Sequence, residues 1–244
     1  MTRLTDFDLL SFDVYGTLID WETGVISALQ PMLASNGAAD RFTRRELLEA
    51  YSSCEKAQQT ATPDAPYSEV VSKCLAPTAS RLGLTAAPPT AEQAAAFGAS
   101  VGDWPAFPDS VEALGRLKRH FRLAVLSNVD HASFARSNAG PLQGFPFDAV
   151  ITAQDVGTYK PDLRNFDYML REVGDRFGVP KERVLQTAQS QFHDHRPARA
   201  LGIRSSWIVR PGAVMGNLDD VVYDWKYDTL RDMADAVDAE VAAK

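Results

Sequence analysis

Short apolar runs that stop at polar loops and alternate with helical periodicity constrain this chain more than any other feature. Leu9 to Val14 (LLSFDV) is interrupted by an acid, Asp13, and followed by Tyr15-Gly16-Thr17. Such a run marks a buried parallel strand that ends in a polar loop. Later runs repeat it: Leu123 to Leu126 (LAVL), Ala149 to Thr152 (AVIT), Val184 to Ala188 (VLQTA) and Ser206 to Val209 (SWIV). Helical patterns lie between them at Ser110–His120, Arg164–Val173 and Pro197–Leu201. Strands alternating with helices pair in parallel through right-handed crossovers. The pattern predicts an α/β fold with a three-layer, doubly wound, Rossmann-like parallel sheet.

One gap breaks the rhythm. Residues 21–105 contain no convincing strand but carry amphipathic stretches, Arg44–Ala57 and Tyr67–Leu82, and a Pro/Ala-rich connector from Ala86 to Thr90. Ala94–Ala96 reads as helix and not as low complexity. This segment is expected to be a helical cap inserted over the strand ends, with Asp103 to Pro108 (DWPAFP) as the return hinge, because its prolines discourage continued helix. The expected division is a core of residues 1–20 and 104–244 and a cap of residues 21–103.

Composition narrows the partners. A net charge of −7 over 244 residues, with no stripe of Lys and Arg, argues against nucleic acid. It leaves room for a small anionic substrate, which needs only a local positive pocket. Met1 to Leu10 carries Asp6 and Asp8 and does not resemble a signal peptide, and no run is long enough for a membrane helix. Two cysteines, Cys54 and Cys74, are too few for a disulfide framework and read as small buried or half-buried thiols. A cytoplasmic protein is expected.

Ligands of open parallel sheets bind beyond the carboxyl ends of the strands, and here those ends carry reactive groups. The first run ends in Asp13, then Tyr15, Gly16 and Thr17; the second ends in Ser127-Asn128. The third is followed by Lys160-Pro161, and the fourth by Gln189-Ser190-Gln191-Phe192-His193-Asp194. A carboxylate at a strand end can attack an electrophile if neighbouring donors hold its charge. Gly16 permits a tight turn, Thr17 and Ser127 offer hydroxyls, and Lys160 supplies a cation that favours ionised Asp13.

Taken in order, Phe12-Asp13-Val14-Tyr15-Gly16-Thr17-Leu18, Leu126-Ser127-Asn128, Lys160-Pro161 and the segment ending in Asp194 resemble the four motifs of the haloacid dehalogenase superfamily. The resemblance implies that Asp13 is a covalent nucleophile supported by Thr17 and Lys160. It implies that Asp194 orients the lysine or the attacking water, and that Ser127 and Asn128 are ligands for substrate and leaving group. Most of that superfamily are magnesium-dependent phosphatases with a second aspartate two positions after the nucleophile. This chain has Tyr15 there, the residue of the 2-haloacid dehalogenase branch, and a halide needs no proton to leave. The phosphatases' metal-binding acid falls at Gln189, a weak magnesium ligand, so no metal and no cofactor is expected. His193 and His195 read as loop histidines.

The expected reaction is metal-independent hydrolysis of a small 2-haloalkanoic acid to a 2-hydroxy acid through an ester on Asp13. The family's halide-cradling arginine corresponds best to Arg44, with Arg41 and Arg45 competing for the role. Trp21 is read as lining the pocket and Ser190 as replacing a family hydroxyl. The family's tyrosine six positions after the lysine is Phe166 here. Two other readings stay open, a phosphatase of a small phosphomonoester and a non-catalytic relic that binds a small anion or a partner protein. The resemblance also implies a homodimer, which no stripe in this sequence demonstrates.

Overall fold

The computed structural model describes residues 2–243, so the expected core limits, Met1 and Lys244, lie outside the described residues. Six strands form one parallel sheet: β1 (Leu9–Phe12), β2 (Arg122–Ser127), β3 (Ala149–Thr152), β4 (Val184–Ala188), β5 (Arg204–Ile208) and β6 (Trp225–Tyr227). Their order is β3-β2-β1-β4-β5-β6. β1 is central, with Leu10 beside Leu123 on one flank and Leu185 on the other. The chain winds outward in both directions from β1, so the loops after β1 and β4 diverge and leave a crevice at their carboxyl ends.

Ten helices accompany the sheet: α1 (Trp21–Ser35), α2 (Arg44–Ala61), α3 (Tyr67–Arg81), α4 (Ala91–Ala99), α5 (Ser110–Leu117), α6 (His131–Ala139), α7 (Ala153–Val156), α8 (Leu163–Phe177), α9 (Arg196–Ala200) and α10 (Leu230–Ala242). Strand residues alternate between two apolar layers, as the two-residue repeat of a pleated strand requires. Leu10, Phe12, Leu123 and Val125 join a cluster that includes Leu114, Leu117, Met233 and Val237 of α5 and α10. Leu9, Ala124 and Leu126 join Phe166, Met169 and Val173 of α8 and Ala198 of α9. The three-layer α/β architecture is therefore present as expected. The sequence pattern did not mark α6, α7, α10 or the edge strand β6.

No strand occurs among the described residues between β1 and β2, where α1 to α4 lie. Helix starts there are set by side chains: Thr43 and Glu46 form a reciprocal capping box at α2, as do Thr90 and Gln93 at α4. The two chain crossings between this helical segment and the sheet run side by side, with Asp20 N–H donating to Pro105 O (2.7 Å) and Phe107 N–H to Leu18 O (3.0 Å). Gly24 packs flat on Trp104, where a Cβ would fall inside the indole ring, so α1 can approach the hinge this closely only with glycine at that place. Cys54 and Cys74 are free and buried.

Candidate active site

Asp13 follows directly on β1 and stays tied to the sheet through its N–H, which donates to Thr187 O at 3.1 Å. Gly16, at φ +98°, turns the chain back so that Thr17 faces the acid. Thr17 Oγ1 donates to Asp13 Oδ2 at 2.7 Å and accepts from Gln189 N–H at 2.9 Å. The other oxygen, Oδ1, accepts from Lys160 Nζ at 3.0 Å. Both carboxylate oxygens are thus held by donors, and the residue is only 6% exposed.

Lys160 is buried and completes its three hydrogen bonds with Asp194 Oδ1 (2.7 Å) and Leu126 O (2.8 Å). Burial pulls its ammonium down, but the charges of Asp13 and Asp194 outweigh that, and it stays protonated above the usual lysine range. Burial also pushes the Asp194 carboxyl up, against the opposing pull of Lys160. Gln186 Nε2 donates to the same Oδ1 at 2.9 Å, which leaves Asp194 Oδ2 buried with no partner. Ser127 Oγ at the end of β2 is likewise buried and unpartnered.

These groups form the floor of a cavity of about 790 Å³, whose far wall is made by α2, α3 and the start of α1. Tyr15, Trp21, Arg44, Ser127, Asn128 and Ser190 all line it, so the predicted site residues converge on one place, with Thr17 immediately behind Asp13. Several are already engaged. Asn128 Nδ2 donates to Lys160 O (3.0 Å) and its Oδ1 accepts from Lys160 N–H (2.7 Å), so its amide fixes the loop that carries the lysine. Ser190 Oγ accepts from His193 N–H at 3.1 Å and lies 3.2 Å from His193 Nδ1. Trp21 Nε1 donates to Tyr67 OH at 3.2 Å. Tyr15 OH lies 2.8 Å from Ser137 Oγ of α6, and burial pushes its phenol well above the ordinary range.

Arg44 faces the cavity while its Nε and Nη2 donate to Glu22 Oε2 at 3.0 and 2.8 Å. Neither Arg41 nor Arg45 lines the cavity. Phe166 does not line it either; it is fully buried against β2 and β3 in the opposite apolar layer. The expectation that His193 and His195 lie in a loop is corrected: both belong to a π-helical turn, Gln191–His195. His195 is buried, with its ring nitrogens 2.9 Å from Ser205 Oγ and from Ala188 O, and burial pulls its imidazole down to about 4. It is a structural side chain.

Among the cavity-lining side chains that the sequence does not single out, four tie the site together. Glu22 accepts from Val214 N–H (2.7 Å) and Met215 N–H (2.8 Å) as well as from Arg44, and so joins α1 and α2 to the loop after β5. Glu55 accepts from Tyr67 OH at 2.5 Å. Arg210, at φ +54°, donates to Thr17 O at 2.9 Å and to Asp109 at 2.6 Å. The fourth is Tyr67 itself. Each acts through a residue distant in sequence, and only the helical spacing of Arg44, Ser52, Glu55 and Gln59 could have pointed to any of them.

A magnesium ion does not fit these residues. Gln189, at the place where a metal-binding acid would stand, is neutral and spends its Nε2 on Met215 O (2.9 Å) and Asn217 Oδ1 (3.1 Å). The Lys160 ammonium already lies between the two buried carboxylates. No group of three or more His, Cys, Asp or Glu side chains suited to a metal occurs among the described residues.

A family model described as haloacid dehalogenase-like hydrolase matches residues 7–185. Two (S)-2-haloacid dehalogenases of Pseudomonas putida are similar to the chain. One is 30% identical over 209 residues, covering 85% of this chain and 88% of the relative. The other is 29% identical over 219 residues, covering 85% and 87%. The crystal structure of L-2-haloacid dehalogenase from Xanthobacter autotrophicus superposes with a TM-score of 0.75 at 20% identity, over 95% of this chain and 98% of that one. The chain belongs to the haloacid dehalogenase-like hydrolases. No helix among the described residues is long and apolar enough to cross a membrane.

Proposed function

We propose that this enzyme hydrolyses the carbon–halogen bond of a 2-haloalkanoic acid, without a metal or cofactor, through an ester on Asp13. The observation that carries the reading is the buried carboxylate of Asp13, held by Thr17 on one oxygen and Lys160 on the other. Tyr15, two positions on, turns its hydroxyl to Ser137 and offers no acid for an alkoxide leaving group. A halide leaves as a stable anion without a proton. The similarity to (S)-2-haloacid dehalogenases supports the same chemistry.

In the first step an oxygen of Asp13 attacks C2 of the substrate in line with the departing halide, forming a C–O bond as the C–halogen bond breaks. The substrate carboxylate sits near Ser127, whose hydroxyl has no other partner, and near the Lys160 ammonium. Arg44 receives the halide, oriented by Glu22. In the second step water attacks the ester carbonyl of Asp13, the hydroxy acid leaves with the alkoxy oxygen, and the carboxylate is restored. Asp194 Oδ2, buried and unpartnered, orients that water, takes one of its protons and passes it to the departing alkoxide, and the second proton is released as the Asp13 carboxylate is restored. Asn128 and Arg210 act one step back, by fixing the Lys160 and Thr17 backbones.

Residues 21–103 form the cap in this proposal, on a core of residues 1–20 and 104–244. The free thiols Cys54 and Cys74 suit a reducing cytoplasm. Pairing of two copies belongs to the same reading and is measured by light scattering. The test is halide release from 2-chloropropionate with EDTA present. It should proceed within about twofold of the untreated rate, and Asp13→Asn should lower it about 10⁴-fold or more. Magnesium-stimulated phosphate release with no halide release would select the phosphatase reading instead.

A further inference from the structure

The cavity is large for a three-carbon acid. Volumes of roughly 300–1,000 Å³ accommodate ligands of drug size, and this one measures about 790 Å³. What lies across from the floor is therefore part of the recognition problem. Helix α2 contributes only polar side chains to the cavity: Arg44, Ser52, Glu55, Lys56, Gln59 and Thr60.

Glu55 stands out among them by how it is built in. Its Oε1 accepts from Tyr67 OH at 2.5 Å and from Tyr51 OH at 3.4 Å, and Tyr67 OH in turn accepts from Trp21 Nε1. Tyr51 and Tyr67 are buried, so the carboxylate is held by rigid aromatic neighbours and not by solvent. Its second oxygen, Oε2, has no hydrogen-bond partner among the described residues and is not sealed from the cavity. Two phenols account for one oxygen; the other is surplus to the packing.

Charge makes the point sharper. Six carboxylates line the cavity: Asp13, Asp20, Glu22, Glu55, Asp162 and Asp194. Lys160 pairs with Asp13 and Asp194, Arg44 with Glu22 and more distantly Asp20 (3.9 Å), and Arg164 with Asp162. Glu55 alone has no cation within ion-pair distance among the described residues. Its sequence neighbour Lys56 points elsewhere, over the Phe192 ring at 5.5 Å. An acid held by hydrogen bonds but lacking a counter-ion, on the wall of a pocket, is complementary to a cation. It would repel a second anionic group and gives nothing to an alkyl end.

We propose that Glu55 is a specificity-determining residue that receives a primary ammonium at the far end of the substrate, so that the site prefers a 2-halo acid carrying a distal amino group. This rests on the dehalogenase reading for the reactive end, but the recognition claim can be tested without turnover. Calorimetric titration of the wild-type enzyme uses unhalogenated ω-amino acids of four to six carbons. Each is compared with the unbranched fatty acid of equal heavy-atom count, for example 5-aminopentanoate against hexanoate. At least one amino acid of the series is expected to bind about ten-fold or more tightly than its partner, and Glu55→Gln should bring the ratio close to one. A wild-type ratio near one for every pair overturns the inference, as does a preference that persists in a folded Glu55→Gln. The wild-type comparison decides the matter even if the variant does not fold. Halide release from 5-amino-2-chloropentanoate and 2-chlorohexanoate then separates the two claims. Turnover of both with no preference leaves the chemistry standing and removes Glu55 from recognition, whereas preferential binding with no halide release from either substrate does the reverse.

Discussion

On the core side of the cavity every carboxylate has a cation partner, with Lys160 shared by Asp13 and Asp194 and closing its third hydrogen bond on Leu126 O. On the cap side Arg44 is held by Glu22, and Glu55 has phenols for partners and no cation. The floor carries groups whose ionisation the chemistry depends on, and burial makes any imbalance there expensive. The wall can carry an acid without a counter-ion because, in the proposed reading, a substrate cation completes it. In the proposed reading, chemistry and selectivity belong to different halves of the fold, one fixed by the ends of β1, β2 and β4 and the other by helices inserted between β1 and β2.

If the floor is a single unit held by one cation, removing that cation should have the largest effect among changes to the charged groups around the nucleophile. Lys160→Met leaves two buried carboxylates facing each other. Activity should fall by about 10²–10³-fold, and stability by about 3–5 kcal/mol, read by urea unfolding. A variant as stable as wild type would mean that the two acids are not held apart by the lysine. A smaller effect is expected at the seam. Glu22→Gln weakens the link from Arg44 to the loop at Val214 and Met215, and KM for the haloacid should rise up to about ten-fold, equivalent to about 1.4 kcal/mol. An unchanged KM would detach Arg44 from substrate binding.

The effect of the wall is read in pH and not in rate. Burial pushes the Glu55 carboxyl up to about 7, against the opposing hydrogen bonds of Tyr67 and Tyr51. The folded state therefore holds that proton more tightly than the unfolded chain does. The associated stability is complete below the ordinary glutamate value of 4.5 and is lost as pH rises toward about 7. The melting temperature of wild type should decline between about pH 5 and about pH 8 more than that of Glu55→Gln. Parallel curves would show that Glu55 does not carry the dependence.

The sequence made the floor legible and the wall mostly illegible, for a physical reason. Asp13 and Ser127 sit at or just beyond the ends of strands, where an apolar run stopping at a polar residue marks the spot, and Lys160 lies in the loop after α7. Thr17 is placed by the glycine turn next to them. The wall depends on side-chain contacts between helices, such as Trp21 with Tyr67 and Tyr51 with Glu55, whose partners no periodicity identifies. Arg44 was selected by its place in the cap, but its engagement by Glu22 was not readable, nor was the turning of Tyr15 toward Ser137 of an unanticipated helix. Strand β6 escaped because Trp225–Tyr227 is three residues long and only partly buried, too short to show alternation. Arg210 escaped because its left-handed backbone leaves no trace in an arginine codeword.

The central claim is that the nucleophile is the side chain of Asp13 and not a water molecule. One turnover of excess enzyme on 2-chloropropionate in heavy-oxygen water, followed by peptide mass analysis, addresses it directly. The account predicts one heavy oxygen in the peptide bearing Asp13 and an unlabelled hydroxy acid, because water attacks the ester carbonyl. Label in the hydroxyl of the product with an unlabelled Asp13 would mean that water had attacked the substrate carbon, and would contradict it.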